Sequence, residues 1–158
     1  MTTEFNAGEH DQVTRSIQIR WSDMDANHHL RHSAYYDYGA AMRMMVLSDR
    51  GLTMGKLEEL QIGPILFREE AIFKREIRMD DTLKLDVCVV RATADFSRWS
   101  LRHQFIKGDG SIAAILNIDG AWMDLTRRKL AVPPAFVQEV FNGFPKAPEY
   151  ALIVRDPK

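Results

Sequence analysis

The chain has 158 residues, of which 46% are apolar and 27% are charged, the balance of a soluble globular protein that fits one domain and can bury a core. Its 21 basic and 22 acidic residues give a net charge of −1, a balance that gives no indication of nucleic-acid or anionic-membrane binding. A single cysteine, Cys88, excludes an intrachain disulfide. Together with a polar N-terminus and the absence of a run of ~20 apolar residues, it predicts a cytoplasmic protein without a membrane segment.

The predicted elements begin after a polar segment, residues 1–13, which we expect to be a flexible tail in front of a single domain over residues 14–158. Residues 14–21 alternate between apolar and polar side chains, which is the pattern of a strand. Residues 33–50 repeat apolar side chains at helical spacing and predict one long helix. Gly51 follows directly and provides a common signal for the helix to stop.

The second half of the sequence is rich in strand patterns. Residues 52–64 look irregular, and Gly108-Asp109-Gly110 is typical of a turn between two antiparallel strands. Pro133 and Pro134 favour the first turn of a short helix near the C-terminus. Long strands are predicted over residues 65–77, 83–89, 99–105 and 112–125.

One apolar helix beside this much sheet predicts an α+β fold, because the helix and the sheet each need an apolar partner face. An exposed sheet edge and a methionine-rich helix favour dimerisation. Within the sheet, His103 shares the register of Trp99, Leu101 and Phe105. We therefore expect it to be a hydrogen-bonded core or interface histidine rather than a catalytic one.

A polar cluster lies between the first strand and the long helix, and it contains Asp23, Asp25, Asn27, His28, His29 and His32. Carboxylate, amide and imidazole groups next to a helix start can supply a base, an orienting group and backbone donors together. His28 and His32 have the i,i+4 spacing of paired metal ligands on a helix. However, the glutamate of H-E-x-x-H is missing and no obvious third ligand follows, so no metal is predicted.

Two motifs resemble the hotdog-fold acyl thioesterases. The segment from Asp23 to Tyr35 is similar to the D-x-D-x-x-G-H-V-x-N-x-x-Y signature of that superfamily, and the wording R-W-S-D-x-D-x-N-x-H is closest to plant-type acyl-acyl-carrier-protein thioesterases. Phe73-Lys74-Arg75-Glu76, followed by Asp80-Asp81-Thr82-Leu83, is similar to the Y-R-R-E-C…D-S-V-L stretch of the same group. The resemblance implies a single hotdog fold, in which a curved antiparallel β-sheet wraps around one long central α-helix.

The sequence also departs from that family at three positions. His28 stands where many bacterial members have glycine, His32 stands where asparagine is common, and Ile77 replaces a cysteine once proposed as a nucleophile in the plant-type group. The plant-type enzymes have two hotdog units in tandem, whereas this chain has one. A single unit implies a homodimer or homotetramer with active sites at subunit interfaces.

The resemblance implies that Asp25 is the nucleophile or general base, with Asn27 and His29 as its partners and Glu76 as a further catalytic residue. An ionised aspartate only accepts hydrogen bonds and can therefore hold a water molecule. Each of these residues also has a simpler interpretation, since aspartate and asparagine often cap helices or turns and a strand glutamate is often only solvated. The first amides of the helix, near residues 30–32, are the expected oxyanion donors.

The sequence thus predicts an acyl thioesterase that hydrolyses an acyl-CoA or acyl-carrier-protein thioester without a cofactor. Two groups of basic residues are candidates for contact with the phosphates of coenzyme A or of a phosphopantetheine arm: either Lys74, Arg75 and Arg78, or Arg91, Arg98 and Arg102. Two alternatives stay open. One is a hotdog enoyl-CoA hydratase or dehydratase, which uses an Asp/His pair across the acyl β-carbon, and the other is a non-catalytic acyl-CoA-binding protein.

Overall fold

The computed structural model describes residues 13–154, which form three α-helices, one 3-10 turn and one eight-stranded sheet. The helices are α1 (His32–Asp49), α2 (Met54–Leu60) and α3 (Ala135–Asn142), and the 3-10 turn is Trp21–Asp23. The strands are β1 (Thr14–Ile17), β2 (Ile62–Phe73), β3 (Leu83–Asp86), β4 (Cys88–Ala92), β5 (Arg98–Lys107), β6 (Ile112–Asp124), β7 (Lys129–Leu130) and β8 (Lys146–Leu152). In this part of the chain no helix has the length and apolar character needed to cross a membrane.

The sheet runs from β2 through β6 and β5 to β3 and β4, which lie one after the other along β5. The opposite edge is shared by β1, which pairs with β3, and β8, which pairs with β4. Between the described strands every pairing is antiparallel except that of β4 with β8. Strand β2 therefore forms one long edge of the sheet.

The long helix α1 buries one side against this curved sheet. Its most buried side chains, at 6% exposure or less, are Ala34, Tyr35, Tyr38, Met42, Val46 and Leu47. They follow the three- and four-residue spacing of one helix face, which explains why the sequence pattern identified this helix. The expected α+β hotdog architecture, with a curved antiparallel sheet around one long helix, is confirmed.

Some predicted elements were wrong. The supposedly irregular residues 52–64 contain α2, whose first turn is capped by Thr53 through a hydrogen bond from Lys56 N to Thr53 Oγ1 at 3.1 Å. The strand predicted over residues 83–89 is interrupted at Val87, where β3 ends and β4 begins on the same partner strand. A seven-residue helix and a one-residue break are too short for periodicity to resolve.

The two ends of the chain also differ from expectation. Trp21 lies in the 3-10 turn and is 80% exposed, not part of the first strand. The short helix α3 is followed by β8, a strand that was not predicted. The predicted tail lies outside the described residues except for Val13, which is buried and accepts a hydrogen bond from Val87 N at 3.2 Å.

Candidate active site

The polar cluster folds into a tight loop between the 3-10 turn and α1. Asp25 N donates to the His29 carbonyl at 2.8 Å, and His28 N donates to the Asp25 carbonyl at 3.1 Å. Met24 and Leu30 form an antiparallel bridge that closes the loop. His28 occupies the left-handed region with φ of 64°, a conformation that favours glycine. This explains why glycine at this point of the family signature suits the loop.

Asp23 anchors the buried side of the loop. Its carboxylate is buried at 1% exposure, and its Oδ2 accepts hydrogen bonds from Tyr38 Oη at 2.7 Å and from Arg20 Nε at 2.9 Å. Arg31 Nη2 lies 3.3 Å from Asp23 Oδ1. The hydrogen bond from Arg20 is the largest cause that lowers the pKa of Asp23. These contacts give Asp23 a structural role in the loop.

Asp25 is exposed, and the loop itself fixes its orientation. Its Oδ1 accepts hydrogen bonds from the backbone N–H groups of Asn27, at 2.8 Å, and His29, at 3.1 Å. These bonds, that of His29 first, lower the pKa of Asp25 below its usual 3.8. The carboxylate is therefore ionised at neutral pH. Both amides bind Oδ1. The second oxygen, Oδ2, accepts no hydrogen bond from the described residues.

His29 and Glu76 form the second pair of the site. His29 Nε2 lies 3.0 Å from Glu76 Oε2. The segment that carries Glu76 is attached to the loop by a hydrogen bond from Leu30 N to the Ile77 carbonyl at 2.7 Å, and the Ile77 side chain is fully buried. His29 and Glu76, which are far apart in the sequence, are thereby held next to each other.

A cleft of about 390 Å³ lies between the loop, the start of α1 and the end of β2. Three of the four predicted site residues line it together with an aromatic and two basic residues; they are Asp25, His29, Glu76, Tyr35, Lys74 and Arg75. Asn27, the fourth predicted residue, contributes its backbone N–H to Asp25, while its side chain is exposed outside the cleft wall. An extended segment would have placed Asp25, Asn27 and His29 on one side, whereas the tight loop keeps Asp25 and His29 in the cleft and leaves the Asn27 side chain outside it.

Tyr35 had no assigned role in the sequence. Its ring is buried at 4% exposure and meets Phe73 edge-on, with ring centroids 4.9 Å apart. Burial, and then the charge of Asp25, raise the pKa of Tyr35 to about 12, so its hydroxyl stays protonated at neutral pH. The tyrosine that ends the family signature corresponds to Tyr35, and this match was the sequence signal that could have identified it as a site residue.

Two of the three N–H groups expected as oxyanion donors already have acceptors. The N–H groups of Leu30 and Arg31 already donate, to Ile77 O at 2.7 Å and to Asp23 O at 2.9 Å. The first turn of α1 has no side-chain cap among the described residues, and His32 lines the cleft. Oxyanion donors are therefore to be sought from His32 onwards, at the N-terminal end of α1.

The arrangement of the histidines does not suit a metal. His28 lies in the loop and His32 is the first residue of α1, so their four-residue spacing does not place them on one helix face. Within residues 13–154 no cluster of three ligand side chains is present.

A sequence model described as "Thioesterase-like superfamily" matches residues 19–141, which include the loop, α1, the sheet strands β2 to β7 and most of α3. The chain belongs to the thioesterase-like superfamily. A search of curated proteins finds no significant match.

Solved structures share the fold of this superfamily member at low sequence identity. They include Staphylococcus aureus SAV2348 in complex with CoA, with a TM-score of 0.75, 16% identity, and coverage of 86% of this chain and 87% of that one. Slr0204 from Synechocystis, a 1,4-dihydroxy-2-naphthoyl-CoA thioesterase, has a TM-score of 0.74 and 16% identity over 83% and 96% of the two chains. DHNA-CoA thioesterase from Staphylococcus aureus has a TM-score of 0.69 and 15% identity over 77% and 80%.

Proposed function

We propose that this protein hydrolyses acyl-CoA thioesters and that Asp25 is its central catalytic residue. The observation that carries the proposal is an ionised carboxylate with one oxygen held by two backbone amides, in a cleft that also contains His29 and Glu76. A fixed carboxylate can hold a water molecule through its second oxygen without reorganisation during the reaction. The protein's membership of the thioesterase-like superfamily supports the same substrate class, as do structurally similar proteins that bind or hydrolyse CoA compounds.

In the proposed reaction Asp25 Oδ2 accepts a proton from a water molecule as the water oxygen attacks the thioester carbonyl carbon. The developing oxyanion is stabilised by N–H groups at the start of α1, since a helix N-terminus favours negative charge. The C–S bond then breaks, the thiolate leaves, and the proton on Asp25 neutralises it. The products are a free acid and a free thiol. Direct attack by Asp25 on the carbonyl carbon, as a nucleophile, is the variant of this mechanism that the same geometry admits.

His29 and Glu76 have supporting roles in this proposal. His29 Nε2, 3.0 Å from Glu76 Oε2, is oriented by that carboxylate, and the imidazole polarises the water or the thioester carbonyl. Asn27 acts through its backbone N–H on Asp25 rather than through its side-chain amide.

The basic residues of the cleft suit the phosphates of coenzyme A. Lys74 and Arg75 line the cleft beside Glu76 and form no ion pair within the described residues. Arg78, the third basic residue of this segment, lies 4.0 Å from Glu76 Oε2. Phosphates carry charge that lysine and arginine bind well. A carrier-protein phosphopantetheine would present the same chemistry with fewer phosphates, so coenzyme A is the expected carrier.

The active form is proposed to be a homodimer or a dimer of dimers. Strand β2 is an edge strand, and four of its large apolar side chains are between 42% and 53% exposed; they are Leu66, Phe67, Ile72 and Phe73. An unpaired edge with apolar side chains favours pairing with a second copy. Phe73 ends β2 and also lines the cleft, so such pairing would place the site beside the interface.

The test is the release of free thiol from acyl-CoAs of different chain length and ring content. Asp25→Ala and Asp25→Asn are expected to lower turnover by about 10² to 10⁴ fold, the usual contribution of a general base. Asp109→Asn is the matched control, because Asp109 Oδ1 also accepts a hydrogen bond from a backbone N–H two residues later, that of Ser111, in an exposed turn. Unchanged thiol release in Asp25→Ala would refute the proposal, and enoyl-CoA hydration without thiol release would favour the hydratase alternative.

A further inference from the structure

Arg43 is a buried cation that the proposed chemistry does not use. It lies in the middle of α1, is 9% exposed, and its guanidinium faces the sheet, where Arg43 Nη1 lies 3.1 Å from His103 Nε2. Among the described residues this is its one side-chain partner, although a guanidinium has five N–H donors. Glu69 influences Arg43 electrostatically but forms no ion pair with it.

His103 cannot neutralise this charge. The histidine is fully buried, and its Nδ1 lies 2.7 Å from the Asp86 carbonyl oxygen. A carbonyl only accepts, so Nδ1 carries the hydrogen and Nε2 accepts the hydrogen bond from Arg43. Burial, and then the charge of Arg43, lower the pKa of His103 to about 3. The expected hydrogen-bonded core histidine is confirmed, and Arg43 is left as a buried positive charge without a counter-ion.

A second cavity, of about 210 Å³, lies against Arg43. Its remaining wall is apolar and includes Met44, Leu47, Leu66, Leu101, Phe141 and Phe144. Trp99 is also in the wall, and its buried indole N–H has no acceptor among the described residues. The cavity is smaller than the ~300 to 1,000 Å³ of sites that enclose a whole ligand. It therefore suits one end of a ligand rather than a complete substrate.

The second cavity lies along the same helix and strand as the candidate active site. Both are lined by α1 and β2, the site by Tyr35 and Phe73 and the cavity by Arg43 and Leu66. The eight residues from Tyr35 to Arg43 correspond to about 12 Å along the helix axis. That separation is comparable to the length of a medium-chain acyl group whose thioester lies at Asp25.

We propose that this cavity receives the far end of the acyl group and that Arg43 selects acyl groups that end in a carboxylate. This inference rests on the proposed thioesterase function, because it concerns the acyl group of that substrate. A buried charge is costly unless it is paired. A terminal carboxylate would supply the missing counter-ion and match the planar fork of the guanidinium. A terminal methyl group would fill the apolar wall but leave the charge unpaired.

The experiment compares two substrates of equal chain length, octanoyl-CoA and the mono-CoA thioester of octanedioic acid. The wild type is expected to prefer the octanedioic thioester in kcat/KM. In Arg43→Met this preference should shift towards octanoyl-CoA by about tenfold to a hundredfold, the range for loss of a hydrogen-bonded charge pair. Arg15→Met, which removes an exposed arginine paired with Asp49, is the matched control and should leave the preference unchanged.

Binding of CoA thioethers that cannot be hydrolysed separates this inference from the proposed function. Calorimetry with S-octyl-CoA and with the analogue whose octyl chain ends in a carboxylate needs no turnover, and the carboxylate analogue is expected to bind more tightly to the wild type but not to Arg43→Met. If no thioester is hydrolysed but this Arg43-dependent binding is present, the cavity assignment stands and the thioesterase assignment fails. If thioesters are hydrolysed and the preference is the same in wild type and Arg43→Met, the cavity assignment fails alone. Should Arg43→Met not fold, Arg43→Lys, which keeps the charge but loses the fork, must weaken the preference, and an unchanged preference would overturn the inference.

Discussion

His29 Nε2 lies 3.0 Å from Glu76 Oε2, and this contact joins the loop before α1 to the segment after β2. Glu76 is 61% exposed in its side chain and His29 is 25% exposed. A polar contact this exposed contributes only about 0 to 1 kcal/mol to stability, even between full charges. Its value is therefore expected to lie in orienting the imidazole beside Asp25 rather than in holding the fold together.

Glu76→Gln should accordingly lower kcat while leaving the melting temperature nearly unchanged. We expect a smaller loss than the ~10² to 10⁴ fold assigned to a general base, and no effect of Glu76→Gln when His29 is already replaced by alanine, because Glu76 acts only through His29. Glu149→Gln is the control, since Glu149 is an exposed glutamate paired with Arg102 on a distant strand. Additive effects of the two substitutions on kcat would contradict this coupling.

His103 should make stability depend on pH. Its pKa is about 3 in the folded protein, whereas an unfolded histidine titrates near ~6.5. Between these values the unfolded chain binds the extra proton, so the free energy of unfolding falls as the pH is lowered, by up to about 1.4 kcal/mol per pH unit from this residue. Above ~6.5 the contribution is constant.

Denaturant unfolding of the wild type and of His103→Gln at several pH values tests this. Glutamine is neutral throughout and keeps an acceptor for Arg43, so the variant should show a flatter dependence below ~6.5 whatever its absolute stability. Parallel curves for the two proteins would mean that His103 is protonated in the folded state as readily as in the unfolded one.

Gly39 is required by the close contact of α1 with the sheet. A Cβ at this position would lie 2.4 Å from Leu116 Cδ2 and 3.4 Å from Arg43 Nη1, and Leu116 is fully buried. Gly39→Ala should reduce the free energy of unfolding by about 1 to 2 kcal/mol, because overpacking exceeds the gain in helix propensity. Gly55→Ala in α2, where the nearest group is Thr53 Oγ1 at 3.9 Å, should not destabilise the protein.

The exposed edge strand β2 gives a prediction about assembly. Ile72→Lys places a charge on an apolar residue that is 42% exposed on this edge, and it should shift the protein towards monomers in analytical ultracentrifugation. Val132→Lys, at a residue 58% exposed outside β2, is the control and should leave the assembly intact. A monomeric wild type at micromolar concentration would exclude the proposed interface.

The sequence located most of the candidate site because its motifs are local. Asp25 and His29 lie in one short segment, and Glu76 follows β2 in the second motif. The geometry of the loop could not be derived, since it includes the positive φ of His28, which no side-chain pattern specifies. Helix α1 could be predicted because its buried face repeats at helical spacing, and the fold is built around this helix.

Arg43 could not be found from the sequence. A charged residue within a helix is usually solvated, and its burial depends on His103, which lies on β5, sixty positions away in the chain. Strand β8 was missed because its Pro148 and its exposed residues are unusual for a strand. Both features depend on contacts between distant segments.

The hydrogen bond from Leu30 N to the Ile77 carbonyl has a consequence for local unfolding. It joins the loop that carries Asp25 to the segment that carries Glu76, so neither wall of the cleft can open without breaking it. The amides of both segments should then exchange with solvent deuterium as one cooperative unit, at a rate set by the buried Ile77 rather than by the exposed residues around it. Exposed side chains that line a cleft can in this way be kept in a fixed arrangement by a backbone contact beneath them.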